Sequence, residues 1–154
     1  MTRPLFWISV IAILYTYVGY PAAVRMLAGL RRLRVSTANI TPRVSVVIAC
    51  HNEANNIRAR IQNLVECDYP ADLLEIIIVS DGSTDFTPQI ARRHASERAR
   101  VVAYARQKGK ATALNIGVGQ ASGEVIVFAD ARQWFEPDAI KQLVSNFADP
   151  RVGA

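Results

Sequence analysis

The hydrophobic positions of this chain form one long uncharged run, followed by four short runs that are separated by mixed segments. The long run covers residues 5–24 and contains no charged side chain. A helix needs about 20 such residues to cross the roughly 30 Å hydrocarbon core of a bilayer. The run therefore predicts a transmembrane anchor over residues 1–30. A cleaved signal peptide is the alternative, because it also begins with a basic residue and an apolar stretch.

The four short runs, over residues 44–50, 74–80, 100–105 and 124–130, are rich in β-branched residues. Nearly continuous runs of this kind are typical of strands buried on both faces. Each run is followed by a segment with the signals of a helix. Four strand–helix alternations predict an α/β fold, a mostly parallel sheet with helices on both faces, preceded by one transmembrane helix.

Three of the four predicted helices are defined by apolar faces. These faces are Ile57, Ile61, Leu64 and Val65 in the first helix, Ala111, Leu114, Val118 and Ala121 in the third, and Ile140, Leu143, Val144 and Phe147 in the fourth. The second helix is predicted over residues 85–97, because Pro88 suits its first turn and Ser83 or Thr84 can cap it.

Residues 31–42 are polar, lack periodicity and end at Pro42, so we expect a juxtamembrane linker there. The folded domain then covers residues 43–154. Val152 resembles the first residue of a further strand, and this predicts that the domain is truncated at its C-terminal end.

Charge is distributed unevenly along the chain. Residues 1–41 hold five arginines and no acidic residue, whereas the remaining 13 basic and 13 acidic residues cancel. A nucleic-acid-binding domain concentrates positive charge on its folded body, so no nucleic-acid partner is expected. Because arginine-rich flanks stay on the cytoplasmic side, we expect a single pass through the plasma (inner) membrane with the body in the cytosol. Cys50 and Cys67 lack metal-ligand spacing and fit that reducing compartment.

Polar and charged residues follow every predicted strand. In an open parallel sheet, ligands bind at the carboxyl ends of the strands, so one crevice should collect these side chains. They are His51, Asn52 and Glu53, then Asp81, Gly82, Ser83 and Asp85, then Arg106, Lys108, Gly109 and Lys110, and finally Asp130 and Arg132.

Simpler structural roles are open to most of these residues. Asp81 before a glycine can shape a turn, Ser83 can cap a helix, and Lys108 and Lys110 can belong to a solvated loop. Asp130 is harder to explain in this way, because a buried strand rarely ends in an unpartnered carboxylate.

Several ligand classes are excluded by motif. No predicted strand is followed by the glycine fingerprint of dinucleotide-binding folds, and Gly109-Lys110 is followed by alanine instead of the serine or threonine of a phosphate-binding loop. Two histidines and two isolated cysteines offer no nucleophile–base arrangement. What remains is a cleft whose carboxylates can hydrogen-bond a base or ribose and whose cations suit a diphosphate.

Four segments in this order resemble family 2 glycosyltransferases of the GT-A fold. They are "VSVVIACHNEANNI", "EIIIVSDGSTDFT", "GKATALNIGVGQASGEVIVFADA" and "PDAI", and the likeness covers residues 43–147. Members of that family are often membrane-tethered enzymes that use nucleotide sugars to build polysaccharides or glycolipids. The resemblance therefore implies a Rossmann-like nucleotide-binding half, a nucleotide-sugar donor (a UDP-sugar is expected) and a glycan or lipid acceptor.

The resemblance also implies roles for individual residues. It places His51, Asn52 and Glu53 near the base and ribose, and Asp81 on the uracil or other base, with Gly82 and Ser83 in the same donor-binding segment. Lys110 is expected near the diphosphate or sugar. Asp130 corresponds to the first carboxylate of the family's Asp-x-Asp motif, whose metal bridges the diphosphate.

Two departures from the family pattern affect these expectations. Arg132 replaces the second carboxylate of the motif, so Asp130 should bind Mg²⁺ or Mn²⁺ weakly and only together with the diphosphate. The family's acceptor site and general base are also missing, so no catalytic residue is expected in this chain. It then corresponds to the donor-binding half of an enzyme. The alternatives are a tethered, non-catalytic nucleotide-sugar-binding module or decayed fragment, and a nucleotidyltransferase, whose glycine-rich start is absent.

Overall fold

The computed structural model describes residues 2–30, 35–95 and 97–153. These residues form two compact units, Met1–Val35 and Ser36–Ala154. The division falls inside the predicted linker, and residues 31–34 of that linker lie outside the described residues. The exact domain boundaries stay a prediction.

The first unit is a helix with one irregular turn. Helix α1 covers Thr2–Leu14, a π-helical turn covers Tyr15–Gly19, and helix α2 covers Tyr20–Leu30. The stretch Arg3–Leu30 is long and apolar enough to cross a membrane, and none of its most apolar window is buried within the protein. Apolar side chains that find no protein partner are stable in lipid and costly in water. The predicted apolar N-terminal helix is therefore present.

The second unit is built on a four-stranded parallel sheet. Its strands are β1 (Val44–Cys50), β2 (Leu74–Asp81), β3 (Ala99–Tyr104) and β4 (Val125–Ala129), in the order β3-β2-β1-β4. The helices are α3 (Ile57–Val65), α4 (Thr87–His94), α5 (Lys110–Val118) and α6 (Ala139–Ser145), with 3-10 turns at Ala71–Leu73 and Asn146–Ala148. The predicted α/β fold with a parallel sheet is confirmed.

Helices cover both faces of the sheet, as expected from strands that are buried on both sides. One face packs against apolar residues of α3, α4 and α6. The other face, which includes Val47, Ile77 and Val79, packs against α5 through Ala113. Burial on both faces explains why the strand sequences show no alternation of polar and apolar residues.

The predicted face of α5 is wrong in part. Ala111 and Val118 are exposed, and the fully buried positions are Ala113 and Gly117. A Cβ atom at Gly117 would lie 2.4 Å from Val47 Cγ1. The helix therefore packs on β1 through its smallest residues, a contact that a search for large apolar side chains does not detect. Leu143 on α6 is likewise 46% exposed although it was assigned to the core.

Helix α4 is shorter than predicted and is capped by another residue. It begins at Thr87 and ends at His94, because Ala95 adopts an extended conformation. The backbone amide of Thr87 donates to the Asp85 carboxylate over 2.9 Å. Ser83 and Thr84 do not cap this helix, because their hydroxyls bond to Ser80 and Asn52.

The described part of the predicted linker is irregular but fixed to the body. The Ser36 amide donates to the buried Asp149 carboxylate over 3.1 Å, and the Tyr69 hydroxyl donates to the Pro42 carbonyl over 2.5 Å. Val152 does not begin a strand, since its amide donates to the Asp149 carbonyl in a turn. The pKa of Asp149 lies far below its usual value, chiefly because the Arg151 side chain donates to it.

Candidate functional site

The strand order creates a cleft between β1 and β4. The chain proceeds from β1 to β2 and β3 on one side and then returns to place β4 on the other side of β1. Ligands bind at the carboxyl ends of the strands at such a reversal. A cavity of about 370 Å³ lies at this point, and its lining includes Glu53, Lys110, Asp130 and Arg132.

Four charged side chains of this cavity form two ion pairs. Lys110 Nζ lies 2.5 Å from Asp130 Oδ1, and Arg132 Nε lies 2.8 Å from Glu53 Oε1. Three of these side chains are 50 to 74% exposed, whereas Glu53 is only 13% exposed. An ion pair that is exposed on both sides, such as Lys110–Asp130, contributes about 0–1 kcal/mol to stability, so a ligand can replace it at little cost.

Asp130 and Lys110 are placed by the ends of regular elements. Lys110 is the first residue of α5, and Gly109 before it has φ of +92°, a conformation that favours glycine. Asp130 directly follows β4, and its amide donates to the Gln133 side chain over 2.9 Å. The resulting tight turn brings Arg132 back towards β1.

Asp81 is buried, and backbone donors engage both of its carboxylate oxygens. The side chain is 3% exposed and accepts from the amides of Lys108 (2.7 Å) and Gly109 (2.9 Å). Burial by itself raises the pKa of Asp81, but these bonds and the neighbouring Tyr104 hydroxyl outweigh it, so the pKa is lowered. Asp81 therefore holds the loop that leads from β3 into α5.

Gly82 allows the loop after β3 to pack closely against the end of β2. Its φ is +61°, and a Cβ atom at this position would lie 2.3 Å from the Gln107 nitrogen. Close approach of two backbones thus requires glycine here. The Tyr104 hydroxyl is buried beside Asp81, and burial, followed by the carboxylate, raises its pKa to about 12.

The residues after β1 have three different roles. His51 contacts the Asp81 carbonyl through Nδ1 (2.7 Å), while its ring lines the cavity. Asn52 has φ of +55°, and its side-chain oxygen accepts from the Thr84 amide over 2.8 Å. Ser83 accepts from the Asn52 amide over 3.2 Å. Asn52 and Ser83 thus brace two loops against each other.

The structure therefore separates the predicted site residues into two groups. His51, Glu53, Lys110, Asp130 and Arg132 line the cavity between β1 and β4. Asn52, Gly82 and Ser83 support its walls. Asp81 lines an adjoining cavity of about 130 Å³, which also includes His51, Lys110 and Gln107. Their roles in donor binding stay predictions.

A buried polar cluster beneath the site was missed by the sequence analysis. Arg60 on α3 is 1% exposed, stacks over the Phe135 ring at 4.1 Å and donates to Asn63 over 2.7 Å. Asn63 also bonds to both the amide (2.9 Å) and the carbonyl (2.8 Å) of Phe135. This cluster holds the segment that follows Arg132. The signal was available, because Arg60 and Asn63 interrupt the apolar face of α3.

The residues around Asp130 fit a divalent cation only together with a second ligand. No group of three or more His, Cys, Asp or Glu side chains that could hold a metal ion occurs in the described ranges. Asp130 supplies one half-exposed carboxylate. Magnesium is commonly held by one or two carboxylates plus substrate phosphates. The donor set therefore fits a cation that is shared with a diphosphate.

A larger cavity, of about 630 Å³, lies at the opposite end of the sheet. Its lining includes Glu75, whose carboxylate accepts from the Ser45 hydroxyl and from the Ser122 amide (2.6 Å) and hydroxyl (2.9 Å). These bonds join the start of β2 to β1 and to the segment before β4. Glu75 thus has a structural role, and no ion pair joins the described residues that line this cavity.

Comparison with known proteins identifies the family. The model of glycosyl transferase family 2 matches residues 45–154, so the chain belongs to this family. The poly-beta-1,6-N-acetyl-D-glucosamine synthase of Staphylococcus epidermidis is 33% identical over 113 residues, which cover 72% of this chain and 27% of the synthase. The chain spans 27 to 31% of the length of the first curated relatives that it matches.

Solved structures agree with the fold. The mannosyltransferase PcManGT from Pyrobaculum calidifontis, in complex with GDP-Man and Mn²⁺, is 34% identical with a TM-score of 0.79, and the match covers 93% of this chain and 44% of that one. S. aureus TarS 1–349 in complex with UDP-GlcNAc is 25% identical with a TM-score of 0.62, covering 66% and 30%. These neighbours bind nucleotide sugars, and the predicted resemblance to the family is confirmed.

Proposed function

We propose that this chain is the nucleotide-sugar-binding half of a membrane-anchored glycosyltransferase that acts on a glycan or lipid acceptor. The observation that carries the proposal is the cavity at the strand reversal, where two cations and two carboxylates converge and the exposed Lys110–Asp130 pair is exchangeable. A nucleotide diphosphate with a divalent cation presents the complementary charges. Such a ligand can replace the Lys110–Asp130 pair without leaving an unpaired charge.

Each charged residue has a role in this exchange. Lys110, at the start of α5, binds phosphate oxygens, and the N-terminal end of that helix adds a favourable dipole. Arg132 provides parallel N–H donors for a second phosphate contact. Asp130, once released from Lys110, is free to hold the cation.

When bound, the Mg²⁺ or Mn²⁺ ion would neutralise part of the diphosphate charge. The solved complex of PcManGT contains Mn²⁺, and the single carboxylate of Asp130 supports a shared site here. The protein is proposed to bind the cation weakly without nucleotide.

The base is proposed to occupy the adjoining cavity beside His51, Asp81 and Gln107. A uridine nucleotide is the expected donor, while the two solved neighbours bind a guanosine and a uridine diphosphate sugar. Because each Asp81 oxygen already accepts from a backbone amide, Asp81 would contribute to the base mainly by shaping this wall.

Calorimetric titration of the full chain in detergent micelles tests the proposal. UDP should bind more tightly than UMP, and added Mn²⁺ should strengthen UDP binding more than UMP binding. Asp130→Asn should abolish the gain from Mn²⁺. The matched control is Asp138→Asn, which alters an exposed carboxylate paired with Gln142 outside the cavity and should keep that gain. Equal affinity for UDP and UMP, with no binding of GDP, would contradict the proposal.

We assign no general base to the chain, so the isolated chain is proposed to bind the donor without transferring the sugar. Loss of a general base alone lowers a rate by about 10²- to 10⁴-fold. Incubation with UDP-GlcNAc or GDP-Man and oligosaccharide acceptors should yield no glycoside.

The body is proposed to face the cytosol from the plasma (inner) membrane. The apolar helix Arg3–Leu30 and the five arginines of residues 1–41 support this orientation. Reporter domains fused after Arg43 should be active only when they are of the kind that functions in the cytosol. A secreted, shortened product would contradict it.

A further inference from the structure

The contact between Arg132 and Glu53 uses only one edge of the guanidinium group. Arg132 Nε donates to Glu53 Oε1 over 2.8 Å. No hydrogen bond joins its two terminal nitrogens to any of the described residues, and the side chain is 74% exposed. The pair of parallel N–H donors at the end of the side chain is therefore available to a ligand in the cavity.

Glu53 is the fixed partner of this pair. Its other carboxylate oxygen accepts from the Asn56 side chain over 2.6 Å, and its carbonyl accepts from the amides of Asn56 and Ile57 at the start of α3. Its own amide donates to the Thr87 hydroxyl over 2.8 Å. Because Glu53 is held from several sides and is only 13% exposed, it sets the position of Arg132.

The chemistry of arginine suits this arrangement. A guanidinium group is planar and presents its five donors in a rigid fork, so one edge can bind a carboxylate while another edge binds two phosphate oxygens. Lysine, with one ammonium group, cannot divide its donors between two fixed planar partners in this way.

We propose that Glu53 is a positioning residue that holds Arg132 by Nε and directs its terminal edge towards the donor diphosphate. At position 132 a second carboxylate would help to bind a metal ion that neutralises the diphosphate. The guanidinium group of Arg132, held by Glu53, supplies that positive charge instead. This inference rests on the proposed function, because it requires that a diphosphate bind in the cavity.

The charge of Glu53 and its positioning of Arg132 predict opposite changes in UDP affinity when Glu53 is removed. Removing a negative charge from the cavity would by itself strengthen the binding of an anion. If Glu53 positions Arg132, its removal should weaken that binding instead. The sign of the change therefore separates the two effects.

The experiment is a double-mutant cycle on the full chain in detergent, with UDP as the probe and a chelator present to remove metal. Arg132→Met should weaken UDP binding about tenfold or more. Glu53→Met should weaken it about two- to fivefold, which is the range expected for an exposed ion pair. In the Arg132→Met background, Glu53→Met should leave the affinity unchanged or raise it.

Two conservative variants complete the test. Glu53→Gln keeps a hydrogen-bond acceptor for Nε and should restore part of the affinity that Glu53→Met loses. Arg132→Lys keeps the charge without the two-nitrogen edge and should remain weaker than the unmodified protein. Thermal unfolding of each variant shows whether the fold is retained.

The outcomes separate this inference from the proposed function. If Glu53→Met strengthens UDP binding, or weakens it equally with and without Arg132, then Glu53 does not position Arg132, and the inference is wrong. If the unmodified protein binds neither UDP nor GDP, with or without metal, the proposed function is wrong and the inference fails with it.

Discussion

The two ends of the sheet carry carboxylates in cavities, but they hold them in different ways. At the amino ends, Glu75 is bonded to the Ser45 hydroxyl of β1 and to the amide and hydroxyl of Ser122 in the segment before β4. At the carboxyl ends, Asp130 and Glu53 are bonded to the long side chains of Lys110 and Arg132. The first arrangement joins β2 to β1 and to the segment before β4, and in the second the exposed Lys110–Asp130 pair can be replaced by a ligand.

This difference shows why cavity size does not identify the site. The cavity at the amino ends is the larger, at about 630 Å³ against about 370 Å³. The Ser122 amide cannot leave Glu75 unless the backbone before β4 moves. At the carboxyl ends, Lys110 can leave Asp130 by rotation about its side-chain bonds. Exchangeable charge, and not volume, distinguishes the proposed binding site from a structural network here.

Lys110→Met gives the largest expected effect on binding. Loss of a charge-assisted contact to phosphate should weaken UDP binding about 10- to 100-fold, with little change in stability because the ion pair to Asp130 is exposed. Calorimetry and thermal unfolding measure the two quantities. Lys141→Met is the matched control, since Lys141 pairs with Asp68 outside the cavity. Equal losses of UDP affinity in Lys110→Met and Lys141→Met would show that the carboxyl-end cavity has no special role in binding.

Glu75→Ala should lower stability and leave UDP affinity unchanged, the opposite of Lys110→Met. Three donors at the amino ends lose their acceptor, and the free energy of unfolding should fall by about 2 kcal/mol, while UDP affinity stays the same. Chemical denaturation of the full chain in detergent measures the first effect. Asp72→Ala, an exposed carboxylate in the same cavity lining, should change stability little. A large loss of UDP affinity in Glu75→Ala would make the amino-end cavity a ligand site.

Asp81→Asn tests a carboxylate at the carboxyl ends that resembles Glu75 in its bonding. At neutral pH the variant should be less stable by about 1–2 kcal/mol, since asparagine has a single acceptor oxygen and leaves one of the two amides, Lys108 or Gly109, without an acceptor. The folded-state pKa of Asp81 is lowered from 3.8. Its contribution is therefore present above pH 3.8 and is lost as the pH falls through the folded-state pKa. The stability difference between the two proteins should shrink below pH 3.8, and a difference that is constant with pH would contradict this.

Arg60→Met should have the smallest effect on stability. Arg60 is buried, and its Nε and Nη2 atoms have no hydrogen-bond partner among the described residues. Replacing an incompletely paired buried charge by an apolar side chain of similar size is often neutral or stabilising, so we expect a change below about 1 kcal/mol. Asn63→Ala, which releases the Phe135 backbone, should cost more, about 1–3 kcal/mol. A strong destabilisation by Arg60→Met would show that its stacking on Phe135 dominates.

Local patterns were sufficient for the fold and for the location of the site. The β-branched runs marked all four strands, and parallel order necessarily brings the residues after them to one end. Small-residue packing was not predictable in this way, because Ala113 and Gly117 are buried by their closeness to Val47 and not by their hydrophobicity.

The pairing within the site depended on information that no local pattern contains. Glu53 and Arg132 are 79 residues apart in the chain and meet because β4 lies next to β1. The sequence indicated that Asp81 belonged to a turn or to a ligand site. Only the position of the loop after β3 shows that its carboxylate is bonded to that loop.

The exposure of Arg132 has a consequence for how such enzymes diversify. A residue that is 74% exposed, and whose ion-pair partner Glu53 also accepts from Asn56, can be exchanged with little effect on folding. Position 132 is therefore open to selection for ligand chemistry alone. Exchange of arginine for an acidic residue at this one position would shift the balance between positive charge supplied by the protein and positive charge supplied by a metal. Asp130 and the sheet beneath it would remain as they are.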